Sequence, residues 1–148
     1  MTMFTVDRLC TQLREQGRRV TPQRRAIIRV LLEGDGGHLT AEQIFKRVQY
    51  SMPDMSHATV YNTLRELTEM DVLLELNLGL GERRYDLNTT DHAHLVCLTC
   101  GRIEDVPYDC AALKLPPEQT HGFRVVGRRV IFRGYCPACT PPGSALKV

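Results

Sequence analysis

Residues 55–67 read "MSHATVYNTLREL". Ser56 stands just before an apolar series, Val60, Leu64 and Leu67, at helical spacing. Serine is a preferred N-cap, and apolar residues at this period form one buried stripe. The stretch therefore predicts a helix that opens at Ser56. With that stripe turned inward, about 100° of rotation per residue puts Ala58, Tyr61, Asn62 and Arg65 on the outer face. These are side chains suited to base edges. Arginine forks onto guanine, asparagine pairs with adenine, and an alanine methyl touches a thymine methyl. Ser56 and Thr59, at the entering end, complete the candidate contacts. A solvated helix face carries the same pattern, so the flanking segments decide between the two readings.

Upstream, the sequence reads as three more helices. Val6, Leu9 and Leu13 share a face that ends at Gly17, and Thr21-Pro22 restarts the chain as N-cap and first helical residue. Ile27, Val30 and Leu31 then face inward, and Gly34 to Gly37 form a loop. Thr40 caps a third helix with Ala41, Ile44, Phe45 and Val48 inward, broken by Pro53. Downstream, "VLLEL" (72–76) and "RRYDL" (83–87) read as strands around the turn "NLGLGE" (77–82). Helices followed by a hairpin define a winged helix-turn-helix, which favours the DNA-reading face over the solvated one.

Past Thr90, "HLVC" (94–97), "RIEDV" (102–106) and "FRVVGRRVIFRGYC" (123–136) read as strands, interrupted by "LKLPPEQTHG" (113–122) around a short helix. The tail "TPPGSALKV" (140–148) reads as loop. The whole is an α+β chain, with one unit at 1–86 and a small α/β unit at 87–148.

The 148 residues carry a net charge of only +2, yet through Tyr50 nine Lys/Arg face five Asp/Glu, and six arginines fall between Arg14 and Arg29. Such a cluster suits a polyanion as well as it suits a solvated face. Arg18 and Arg19, just ahead of the second helix, are placed to hold a phosphate or enter a minor groove. No apolar run reaches membrane-spanning length, and no signal-peptide pattern opens the chain, so a cytoplasmic protein with no membrane partner is expected.

Four of the six cysteines form two CxxC pairs, Cys97/Cys100 and Cys136/Cys139. In a reducing compartment that spacing predicts a closed tetrahedral Cys₄ site for structural Zn²⁺. Cys10 and Cys110 lie outside the pattern and default to inert thiols. His92 and His94 alternate in a strand, so they share a side, and Cys97 points the other way. They belong to some other role, a surface one or a second centre. If they converge with Asp86, Asp105 and His38, the donor set is three imidazoles and two carboxylates. That set suits Fe²⁺, Mn²⁺ or Zn²⁺ and is unlike the thiolate site.

The motifs "RVTPQR", "LTAEQIF", "MSHATVYNTLREL", "RRYDLNTTDHAHLVCLTCGRIEDV" and "GYCPAC" run nearly end to end. Together they resemble the ferric uptake regulator family, and within it most the peroxide-sensing branch. The resemblance implies a homodimeric, metal-dependent repressor of transcription that binds double-stranded DNA at a palindromic operator. It implies a winged-helix DNA-binding domain and a C-terminal dimerisation domain. The regulatory Fe²⁺ or Mn²⁺ ligands it implies are His38, Asp86, His92, His94 and Asp105. Iron-sensing relatives often carry glutamate at the two aspartate positions, and zinc sensors usually place a cysteine near the hinge. In the peroxide-sensing branch, iron-driven oxidation of a ligand histidine, here His38 or His92, releases the DNA. Peroxide is then the one small molecule expected to react. An iron-availability sensor with reversible metal binding is the alternative within the family. A metallohydrolase would need an open coordination position and a further general base, for which no residue stands out, so no enzyme is expected. A structural zinc module that binds proteins would leave His38, Asp86 and Asp105 without effect on DNA binding.

Overall fold

The computed structural model describes residues 4–34, 38–140 and 143. The loop expected from Gly34 to Gly37 and most of the tail from Thr140 lie outside those residues after Gly34 and Thr140. The chain divides into two compact units, Met1–Thr89 and Thr90–Val148.

Among the described residues the first unit holds four α-helices: α1 (Val6–Glu15), α2 (Pro22–Glu33), α3 (Ala41–Ser51) and α4 (His57–Glu69). Each begins where the sequence offers a hydroxyl N-cap. Thr5, Thr21, Thr40 and Ser56 accept from the backbone N–H three residues on. At α3 the Gln43 side chain also accepts from the Thr40 amide, closing a capping box. Gly17, at φ 73°, follows the C-cap of α1 in the left-handed region that glycine occupies without strain. Leu9, Leu13, Ile27, Leu31, Ile44, Phe45, Val48, Val60, Leu64 and Leu67 meet in one core, as their spacing predicts. Ile28 is fully buried there, whereas Val30 only packs against its edge.

Three short strands complete this unit: β1 (Leu39–Thr40), β2 (Leu74–Leu76) and β3 (Arg84–Asp86), in the order β1-β3-β2, all antiparallel. The expected strand from Val72 starts two residues late because the Val72 and Leu73 amides both donate to the Leu67 carbonyl. β1 has no counterpart in the sequence reading, since two residues carry no alternation to detect. It has a large consequence. Its register pairs Leu39 with Tyr85, which sets His38 across from Asp86.

The second unit is a three-stranded sheet of β4 (Ala93–Cys97), β5 (Ile103–Val106) and β6 (Val130–Gly134), in the order β5-β4-β6. β4 runs antiparallel to β5 and parallel to β6. The stretch between β5 and β6 forms two single-turn 3-10 helices, Cys110–Ala112 and Pro117–Gln119. The long strand expected from Phe123 is cut back to Val130. The Arg128 guanidinium donates to the Cys110 carbonyl and the Asp91 carboxylate, both outside the strands. Phe123, Val125 and Val126 stay exposed, showing that β-branched composition without a partner strand does not make a strand.

Candidate metal centres and nucleic-acid interface

The four cysteines of the second unit come together because β4 and β6 are parallel neighbours ending side by side, Cys97 opposite Gly134. A turn after β4 brings back Cys100, and a matching turn after β6 brings in Cys136 and Cys139. One sulfur from each lies within 4.8 Å of all the others. The Cys100 and Cys136 sulfurs are 3.7 Å apart. Four thiolates at about 2.3 Å from a tetrahedral zinc stand roughly 3.8 Å from one another, so the spacing fits zinc. It is far too long for a disulfide of about 2.05 Å, and all six cysteines are free thiols. The Cys136 amide lies 3.3 Å from the Cys97 sulfur. Backbone N–H groups of Cys100 and Cys136 pull the Cys97 thiol down to about 6, which prepares a thiolate. Cys139 is pushed up to about 12, mainly by the neighbouring Cys136 thiol. The four thiols fit a structural zinc site.

A second donor set is built at the opposite end of β4. His94 pairs with Asp105 across the β4–β5 ladder, and His92 precedes the strand on the same side. His92 Nε2 lies 3.1 Å from His94 Nε2 and 3.3 Å from Asp105 Oδ1. His94 Nε2 lies 3.4 Å from the same oxygen. Cis donors bound at about 2.1 Å stand roughly 3.0–3.4 Å apart in octahedral to tetrahedral geometry, so three donors already form one face of a coordination shell. The outer nitrogen of His92, Nδ1, lies 2.7 Å from the Thr90 carbonyl, which orients the ring with Nε2 toward the cluster. Two imidazoles and a carboxylate fit a regulatory Fe²⁺ or Mn²⁺ and leave positions open.

The first unit supplies the other two expected ligands as a pair. His38 and Asp86 are buried, with Nε2 to Oδ2 at 3.4 Å. The Asp86 Oδ1 accepts the Asn88 amide at 2.8 Å, and the His38 carbonyl accepts from Arg84 Nη1 at 3.0 Å. Both ligands are thus fixed through backbone and register.

Along α4, Ala58, Tyr61, Asn62 and Arg65 are exposed, on the face that the periodicity assigns them. Arg65 donates to Asn62 Oδ1 at 3.2 Å, so the two lie ready as a pair. Ser56 and Thr59 are spent on each other: the Thr59 amide donates to Ser56 Oγ, and the two hydroxyls are 2.8 Å apart. Tyr85, on β3, lines a groove with Tyr61, and its phenol is raised first by burial and then by Glu75. Arg19 is exposed ahead of α2. Sequence reasoning missed Glu66, Arg24 and His57. His57 stacks on Phe45 with ring centroids 3.6 Å apart and reaches Glu42 at 3.1 Å. Nothing in local periodicity signals those contacts.

A winged-helix unit, a Cys₄ zinc knuckle and a mixed imidazole–carboxylate centre define a metal-dependent regulator. The family model described as "Ferric uptake regulator family" matches residues 15–133, and the chain belongs to that family. It is 37% identical over 139 residues to a "Ferric uptake regulation protein" of Bacillus subtilis, covering 90% of this chain and 93% of that one. It is 38% identical over 129 residues to the "Peroxide operon regulator" of the same organism, covering 86% and 88%. The solved ferric uptake regulator of Helicobacter pylori superposes with a TM-score of 0.68 at 22% identity, covering 95% of this chain and 97% of that chain. The first two relatives are named for different signals, and their near-equal identities do not choose between them. Among the described residues, no helix is long and apolar enough to cross a membrane.

Proposed function

We propose that this chain is a homodimeric, DNA-binding repressor of transcription that senses peroxide through a regulatory Fe²⁺ site, with Mn²⁺ as the insensitive alternative metal. The observation that carries this reading is the triangle of His92, His94 and Asp105 donors at 3.1–3.4 Å. Hard and borderline donors with open positions admit both iron and an oxidant, whereas a closed shell of four thiolates leaves an oxidant no position. His38 and Asp86 are ligands of the same ion. They belong to the winged-helix unit, so the ion binds the DNA-competent arrangement better than any other and shifts the population toward it. Arg19, Ser56, Ala58, Thr59, Tyr61, Asn62 and Arg65 form the DNA surface, and a dimer presents two α4 helices to successive major grooves of a palindrome.

Iron in the site would supply the electrons that start peroxide reduction. In the net step, one oxygen of hydrogen peroxide enters an imidazole carbon of His38 or His92, and the other leaves as water. The oxidised ring is a poor ligand, and the DNA is released. Membership of a regulator family supports this reading over the metallohydrolase. The relative named for ferric uptake supports a second reading, reversible iron sensing.

The test is peptide mass spectrometry on zinc-loaded protein carrying Fe²⁺ or Mn²⁺, exposed to a small excess of hydrogen peroxide, with duplex binding measured in parallel. A gain of one oxygen on His38 or His92 with loss of DNA binding, in the iron form alone, is expected. Intact histidines and undiminished binding in the iron form would leave the reversible iron sensor. Cytoplasmic residence follows from the same reading.

A further inference from the structure

Glu66 lies on α4, one helical turn beyond Asn62, and its carboxylate is claimed by two arginines from elsewhere in the first unit. Arg18 Nη1 approaches Glu66 Oε1 at 3.2 Å. Arg24 Nη2 pairs with the other oxygen, Oε2. Arg24 has a second grip, its Nη1 donating to the carbonyl of Arg19. Glu66 and Arg24 are each only about a fifth exposed, at 21% and 22% of their side-chain surface, which limits solvent screening at the inner pair. The chain before α2 is therefore tied to α4 at two points, one through a side chain and one through its backbone. Among the described residues, the Arg19 guanidinium makes no hydrogen bond or ion pair, and it is exposed. Arg18 and Arg19 are adjacent and chemically identical, yet one is a strut and the other is left to reach outward.

We propose that Glu66 is a positioning residue for DNA recognition, which through Arg24 and Arg18 fixes the Arg19 arm relative to the outer face of α4. This rests on the DNA-binding reading above. A carboxylate beside a DNA-binding helix repels phosphate, so its presence costs affinity for any duplex. Its gain is register. An arm in the minor groove and a helix in the major groove read one site only if the distance between them is fixed. Two bonds to one planar carboxylate, with Arg24 gripping the backbone of the arm, supply that distance. Arg24 is suited to the task because its rigid planar fork serves two acceptors from two separate nitrogens, whereas a lysine offers one.

The sign of the effect separates positioning from bare charge. A duplex is first selected from a random library by zinc- and Mn²⁺-loaded wild type, and Kd is then measured on that duplex and on a scrambled one. Glu66→Gln is expected to lose about tenfold of the selected-over-scrambled preference. Its binding to the scrambled duplex stays equal or tightens, because a repelling charge is gone. Glu66→Asp keeps the charge and shortens the reach, so it is expected to lose preference as well. Arg24→Gln is expected to lose a similar factor, and the Glu66→Gln/Arg24→Gln pair to lose no more than the worse single change. Zinc content and helical circular dichroism confirm that each variant is folded. A Glu66→Gln protein that tightens on both duplexes equally, or a Glu66→Asp protein indistinguishable from wild type, would overturn the proposal. A wild type that selects no sequence overturns the DNA-binding reading itself, whereas an unchanged preference in the variants overturns only the role of Glu66.

Discussion

The two units are stabilised by different means. In the first, α1 to α4 bury leucine, isoleucine, valine and phenylalanine against one another, and seven of those side chains are fully inaccessible. In the second, Ala93, Val96, Cys97 and Cys110 are the buried apolar side chains among the described residues. Meanwhile Leu95, Phe123, Val126, Phe132 and Tyr135 stand exposed. A unit of this size with so little interior cannot rely on burial alone, and a metal or a partner must make up the difference. The first unit is a core with a reading surface. The second is a small sheet with a four-thiol zinc-type site at one end and the proposed regulatory ligands at the other.

The sharpest way to break this contrast is to remove zinc. Cys136→Ser takes one corner from the thiolate tetrahedron, and a structural zinc site of this kind supplies about 10 kcal/mol or more of folding free energy. The sheet of the second unit is expected to unfold, with zinc lost by elemental analysis, while the helical circular dichroism of α1 to α4 persists. Concerted loss of both signals would show that the units do not stand apart. The converse change is Leu64→Ala, which opens a cavity at a fully buried position of α4. It should cost about 2–5 kcal/mol of the helical transition while leaving zinc stoichiometry intact.

Phe132→Glu sharpens the comparison from the exposed side. Phe132 and Leu95 are register partners on β6 and β4 and remain 41% and 47% exposed. If the proposed homodimer covers this face, a buried carboxylate there should weaken self-association about a hundredfold. Sedimentation velocity would read the shift to monomer. An unchanged dimer would place the interface elsewhere.

The contrast also explains what was legible in the sequence. Helices declare themselves locally. Thr21, Thr40 and Ser56 mark their starts, and the buried stripes follow at fixed intervals. The two CxxC pairs are equally local, and only their mutual approach needed the parallel pairing of β4 with β6. By contrast, β1 is two residues long and has no period, yet its register sets His38 opposite Asp86. Asp105 meets His94 through a ladder position that composition does not encode, so the sequence offers it only as a donor conditional on convergence. The Arg24–Glu66 pair spans 42 residues and leaves no local trace. The stretch from Phe123 to Arg129 misled the reading because its β-branched residues find no neighbouring strand.

The smallest effect concerns a place where the first unit's architecture reaches a proposed metal ligand. Arg84 sits on β3 between Tyr85 and Arg83, partly buried, and donates through Nη1 to the His38 carbonyl at 3.0 Å. The hydrogen bond fixes the backbone of a proposed ligand whose side chain lies 3.4 Å from Asp86 Oδ2. Arg84→Gln keeps a donor but shortens its reach, so the grip on His38 is lost. A single hydrogen bond is worth about 1 kcal/mol net, which corresponds to about a fivefold weaker Mn²⁺ affinity. Thermal stability should hardly move, because the β1–β3 pairing at Leu39 and Thr40 is unchanged. Isothermal titration of Mn²⁺ into the zinc-loaded variant, beside its melting temperature, separates the two. Weaker binding at unchanged stability identifies Arg84 as the link from strand register to ligand geometry. Equal loss of both would mean that Arg84 serves the core of the first unit and reaches the metal only through it.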